Sequence, residues 1–178
     1  MQTSKHFITC SNIKSVQLKP CEEYAVKTDD LIIYTIYLPN FLELKPDLRE
    51  FLNSKELNKA ERFHKELDRN RFIVCRSILK IVLAAHTKLE AKNICLDYHF
   101  NKKPYLASHP GLYFNISHSG DFAVIAVSRN NVGIDIEYIS EELNFTNLLP
   151  AIFEENEILT IQNTANKKHA FYTLWTRK

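Results

Sequence analysis

Glycine is almost missing from this chain: three residues in 178, Gly111, Gly120 and Gly133. Glycine reaches left-handed backbone angles, or lets a ligand approach the main chain, without steric cost. The chain therefore confines that freedom to one neighbourhood, residues 113–137, YFNISHSGDFAVIAVSRNNVGIDIE, and its edge. Cysteine is equally unhelpful for stapling or metal chemistry. Cys10, Cys21, Cys75 and Cys95 form no Cys-x-x-Cys pair and no metal-ligand spacing, and read as free thiols. No apolar run approaches the length needed to span a bilayer, and the opening MQTSKHFITCSN lacks the continuous apolar core of a signal peptide. Net charge is only +2, which gives no whole-protein argument for nucleic acid or a membrane surface as partner. The expectation is a cytoplasmic, reduced, monomeric protein with neither partner. At 45% hydrophobic content its length suits one globular domain with a real core.

What is present concentrates in residues 113–137. Apolar strands are expected over 112–116 and 122–127, joined by the polar turn Ser117-His118-Ser119-Gly120, which reads as a hairpin. Hydroxyls, an imidazole and backbone amides gathered at a strand end suit an anionic phosphate. Ser117 and His118 do not read as a nucleophile pair, because neighbours rarely face each other and no third orienting group is indicated. A further strand is expected over 132–137. There Val132, Ile134 and Ile136 point one way and Gly133, Asp135 and Glu137 the other, since side chains alternate along a strand. Two carboxylates with α-carbons roughly 6.6 Å apart can share one hard cation that takes oxygen ligands, such as magnesium. A solvated edge strand explains the same pattern.

The other segments read as scaffold with basic residues on it. Residues 1–30 are polar and mixed, an extension or weak strand. Residues 31–38, LIIYTIYL, form a buried strand that starts the main sheet. Pro46 suits the first turn of a helix, with Asp47 and Glu50 near its positive end. A helix is expected from Ser54 as cap, carrying Lys55, Lys59, Arg62 and Arg69 along one side. Residues 71–86, RFIVCRSILKIVLAAH, form a core-facing helix through Phe72, Cys75, Leu79, Val82 and Leu83, and Arg71 could reach a phosphate from its start. Ile94, Leu96, Tyr98 and Phe100 alternate as a half-buried strand, turned back by Asn101-Lys102-Lys103-Pro104. Helices follow over 144–153, 154–162 and 166–178, the last with Ala170, Phe171, Leu174 and Trp175 on its apolar face.

Four ordered motifs carry a resemblance. Lys103-Pro104-Tyr105, then 114–120 (FNISHSG), then 132–137 (VGIDIE), then 171–178 (FYTLWTRK) resemble those of the 4′-phosphopantetheinyl transferases of the Sfp type. The family pattern continues Trp-x-x-Lys-Glu, whereas this chain stops at Lys178, so the resemblance implies a C-terminally truncated member. It implies an α+β fold, a pseudo-twofold of two α/β halves with the second incomplete. The division is 1–30 as extension, 31–130 as the N-terminal half and 131–178 as a partial C-terminal half. The activity implied is magnesium-dependent transfer of the 4′-phosphopantetheine arm from coenzyme A to a serine of an acyl or peptidyl carrier protein, impaired in a truncated chain. The resemblance places Lys59, Lys103, Ser117 and His118 on coenzyme A, with Arg71 reaching a phosphate as above. Asp135 and Glu137 bind magnesium, Glu137 in the catalytic centre, and Lys178 steadies the phosphate as charge develops. The glutamate after that lysine is, in the family, a further ligand and general base. Glu56 stands where the family has another basic residue. Two alternatives remain: a non-catalytic fragment that binds coenzyme A or a carrier protein, and a metal-dependent nuclease. The nuclease reading lacks a lysine two residues beyond Glu137, where Ile139 stands.

Overall fold

The computed structural model describes residues 7–13 and 30–178, and the rest of the expected N-terminal extension lies outside them. The elements in order are β1 (Phe7–Ile13), β2 (Asp30–Tyr37), α1 (Lys45–Arg49), α2 (Ser54–Glu61), α3 (Glu66–Thr87), β3 (Asp97–Tyr98), β4 (Pro104–Tyr105), β5 (Tyr113–Ser119), β6 (Phe122–Ser128), α4 (Leu149–Ile152), α5 (Glu155–Asn163) and α6 (Lys167–Trp175), an α+β composition. The chain divides into two compact units, Met1–Ile134 and Asp135–Lys178, each with its own core.

In the first unit a four-stranded sheet runs β1-β2-β6-β5, with β1 parallel to β2 and the other pairs antiparallel. Alternation along β2 buries Ile32, Tyr34 and Ile36 and leaves the intervening residues half-buried or exposed. The central strand β6 is buried from Ala123 to Ser128. Against the sheet lies α3, whose Ile73, Val74, Ile78, Leu79 and Leu83 are essentially inaccessible. The helix starts five residues before the expected point and buries polar groups as well. Lys80, fully buried, donates to the carboxylate of Glu56 at 2.7 Å and to the carbonyl of Phe51 at 2.8 Å. Ser77 donates to Leu48 O at 2.6 Å. A buried charge persists only when paired and hydrogen-bonded, so Glu56 is a structural counter-ion to Lys80 in the core.

Several local expectations are corrected. Asn53, not Ser54, caps α2: its side chain accepts from Glu56 N while Glu56 reaches back to Asn53 N, a reciprocal capping box. The basic stripe from Lys55 to Arg69 is not one helix face, because α2 ends at Glu61 and α3 begins only at Glu66. The strand expected through Ile94 and Phe100 shrinks to β3, with Ile94 buried and Phe100 wholly exposed. Strand β5 continues through Ser117, His118 and Ser119, so the turn is the pair Gly120-Asp121, with Gly120 at φ 58°. A positive φ at the first position followed by a negative one is the pattern of a type II′ hairpin turn. Glycine is needed only there. The other left-handed positions, Lys88 and Lys102, are lysines, and a Cβ added at Gly111 or Gly133 would meet open space. The strand expected over 132–137 is not one: the segment belongs to neither strand nor helix.

The second unit is helical. A short 3-10 turn, Phe145–Leu148, leads into α4, and α5 and α6 pack with it around Phe171. Phe171 is 1% exposed, with the rings of Phe145, Phe153, Tyr172 and Trp175 at centroid distances of 4.9, 5.7, 5.3 and 5.5 Å. Asn166 caps α6 through His169 N. No helix among the described residues is long and apolar enough to cross a membrane.

Candidate active site

In the first unit the expected anion contacts fall in two places. On the helical side, exposed Lys59 lies with its ammonium 5.2 Å from the centre of the Phe72 ring, and Arg71 pairs with Asp68 at 3.5 Å across one helical turn. On the sheet, alternation along β5 sets Asn115, Ser117 and Ser119 on one face and Phe114, Ile116 and His118 on the other. The expected polar turn is thus divided. His118 is exposed at the end of a row whose Phe114 is in the core, while Ser117 shares its face with Asn115.

Asn115 is a residue that sequence reasoning passed over. Its side-chain carbonyl accepts from Ile134 N at 2.8 Å. Lys103 grips the same run, donating to Val132 O at 2.7 Å and to Asn131 Oδ1 at 3.3 Å. These two side chains replace a strand ladder over 131–134. An ammonium has three donors, so Lys103 keeps one for another acceptor.

In the second unit the carboxylates keep the period-two arrangement without the strand. Val132, Ile134 and Ile136 are half-buried, whereas Gly133, Asp135 and Glu137 are exposed. The indole N–H of Trp175 donates to Glu137 Oε1 at 3.3 Å. Further along, Tyr172 Oη accepts from Ser140 N at 3.0 Å, and Lys168 Nζ meets Glu141 at 2.9 Å on its carbonyl and 2.7 Å on its carboxylate. Glu137, Tyr138, Leu143, Phe171, Tyr172 and Trp175 line one small cavity. Lys178 pairs with Glu157 Oε2 at 2.7 Å and lies over the Phe153 ring. That ammonium, followed by the backbone N–H of Glu154, holds the Glu157 carboxyl below its usual range.

Two exposed carboxylates on one side of an extended run fit a hard divalent cation in kind. No cluster of three or more His, Cys, Asp or Glu side chains suited to a metal occurs among the described residues. The remaining positions would fall to ligand oxygens and water. Thiol chemistry has no support in Cys75, whose thiol is pushed up to about 12 by burial against the opposing pull of Arg76 and Arg71. Cys75 and the exposed Cys95 are free, as expected, while the side chains of Cys10 and Cys21 lie outside the described residues.

Lysine, arginine and exposed carboxylate side chains are of the kinds that suit phosphorylated ligands and their counter-ions. Comparison with known sequences goes further. The family profile described as 4′-phosphopantetheinyl transferase, N-terminal, matches residues 44–130, and that of the 4′-phosphopantetheinyl transferase superfamily matches 131–178. The chain belongs to the 4′-phosphopantetheinyl transferase superfamily. It is 32% identical over 157 residues to the 4′-phosphopantetheinyl transferase HetI of Nostoc, a match covering 85% of this chain and 66% of that protein. It is 27% identical to a putative 4′-phosphopantetheinyl transferase of Synechocystis, covering 79% and 59%, and 26% identical to the transferase Sfp of Bacillus subtilis, covering 82% and 66%. The chain therefore spans less than two thirds of the length of these relatives.

Proposed function

We propose that this chain carries the machinery for transferring the 4′-phosphopantetheine arm of coenzyme A to a serine of an acyl or peptidyl carrier protein, with magnesium as cofactor. The observation that carries the reading is the exposed, same-sided pair Asp135 and Glu137 on an extended run, in a chain whose relatives are transferases. In the reaction the serine oxygen bonds to the phosphorus that bears the pantetheine arm. The bond from that phosphorus to the bridging pyrophosphate oxygen breaks, and adenosine 3′,5′-bisphosphate leaves. Asp135 and Glu137 would hold the cation, which when bound screens pyrophosphate charge against the incoming oxygen. Lys59, Arg71 and the third donor of Lys103 supply positive charge to the coenzyme's phosphates, and Ser117 and His118 supply hydrogen-bond donors. Lys178 exchanges its Glu157 partner for a phosphate oxygen as negative charge develops.

A second reading is a binding fragment without turnover. It is favoured by the lack of a third metal-ligating side chain among the described residues and by the engagement of Lys178 with Glu157. The nuclease reading loses its basis with membership in the transferase superfamily.

Calorimetry tests the metal role. Coenzyme A should bind the wild-type chain about tenfold or more tightly with magnesium than without it, and Asp135→Ala should lose that difference. Equal magnesium dependence in the two proteins would refute the assignment. Incubation with a carrier protein, read by mass spectrometry as an added phosphopantetheine, then separates transferase from binding fragment.

A further inference from the structure

Lys168, Tyr172 and Trp175 stand at spacings of four and three on α6 and so lie along one side of that helix. Each bonds the run that begins at Glu137: Trp175 to Glu137, Tyr172 to Ser140, Lys168 to Glu141. As the helix number falls the run number rises, so these side chains help to set the register of a segment that lies outside the sheet. The ring of Trp175 is held in turn by Phe171, at 5.5 Å between centroids. An indole N–H only donates. It can orient a carboxylate oxygen without competing for a cation.

We infer that Trp175 is a positioning residue: its N–H holds Oε1 of Glu137 and thereby presents Oε2, with the Asp135 carboxylate, to a divalent cation. This rests on the reading of Asp135 and Glu137 as metal ligands. Groups that orient a metal ligand from behind typically govern metal affinity by about 10- to 100-fold.

Trp175 is the only tryptophan in the chain, so its indole N–H gives a single line in a proton–nitrogen correlation spectrum. In the presence of coenzyme A, titration with magnesium chloride is expected to move that line with the midpoint found by calorimetry. Trp175→Phe keeps an aromatic ring on Phe171 but removes the donor. It is expected to weaken magnesium about tenfold while leaving magnesium-free coenzyme A binding and the circular dichroism spectrum unchanged. A line that stays still while calorimetry records magnesium uptake overturns the inference, and so does wild-type magnesium affinity in Trp175→Phe. If Trp175→Phe proves misfolded, Lys168→Met carries the test from the far end of the stripe: loss of register predicts a displaced indole line and weaker magnesium binding, and an unchanged line with unchanged affinity overturns the role. Asp135→Ala tells the two levels apart. A variant that binds magnesium as wild type does refutes the metal reading itself, whereas a crippled Asp135→Ala beside an unaffected Trp175→Phe refutes only the positioning role.

Discussion

Ser117 and His118 sit on a strand closed on its β6 side by a backbone ladder, whereas Asp135 and Glu137 sit on a run classed as neither strand nor helix. In the first unit, rigidity comes from main-chain hydrogen bonds and from a core shared by sheet and α3. In the second, a small aromatic cluster around Phe171 holds the helices, and side chains of α6 hold the run. A ladder distributes the loss of one side chain over many bonds. A segment anchored through individual side chains does not, so the same kind of substitution should act globally in the first unit and locally in the second.

The largest expected effect is Phe171→Ala. Removing a buried aromatic typically costs about 3 to 5 kcal/mol, and here it empties the centre of a small cluster. Hydrogen exchange should show lost protection over 145–175 with α3 still protected. Uniform loss across both units would mean that the two melt as one body. Next comes Lys80→Met. It leaves Glu56 buried with Arg76 at 3.8 Å as its remaining cation, and breaking a buried pair costs on the order of 3 kcal/mol. Urea unfolding should show a lower midpoint for Lys80→Met, and Glu56→Gln added to it should recover part of the loss. A smaller, purely functional effect is expected of His118→Ala. The residue is exposed, so stability should hold, while affinity for coenzyme A should fall about tenfold, the worth of one hydrogen bond to a charged group. The analogue lacking the 3′-phosphate should lose less if His118 meets that group, and equal losses would move the contact elsewhere.

The smallest effect concerns pH. The carboxyl of Glu157 is held below its usual range by Lys178. Its contribution to stability is therefore present above the unfolded-state value and fades as pH falls through the lowered folded value. Both partners of this pair are partly open to solvent, whose screening should keep the change slight. The melting temperature of Glu157→Gln should differ from wild type near neutrality and in mild acid, and converge on it only in acid below the ordinary carboxylate range. A difference that grows toward acid would contradict the assigned pairing.

Much of the fold was legible because hydrophobic periodicity reports burial directly. The strand over 31–38, the hairpin, the long helix and the three C-terminal helices all follow from it, and the structure moves their ends by a few residues. Where the reading failed, a competing local interaction won. Asn53 outranked Ser54 because the reciprocal bond with Glu56 needs a cap three residues before that glutamate. The polar turn shortened because Gly120 alone satisfies the positive φ, which lets Ser117 to Ser119 stay in the ladder. The 132–137 alternation was correct in its facing and wrong in its class, since facing is set by extended backbone angles while a strand requires a neighbour in register.

The sequence by itself determined which residue types are available to the proposed chemistry: a carboxylate pair at period two, a serine-histidine segment at a strand end, and lysines and arginines elsewhere along the chain. Local angles and side-chain identity suffice for that. Only the tertiary structure decided which partners those groups have. Lys103 and Asn115 meet on residues 131–134, Lys80 neutralises Glu56 inside the core, Lys178 meets Glu157, and Trp175 reaches back to Glu137. These pairs join residues up to 38 positions apart. Their energies depend on a separation of a few ångströms in space, which chain spacing leaves undefined until the helices and strands have packed.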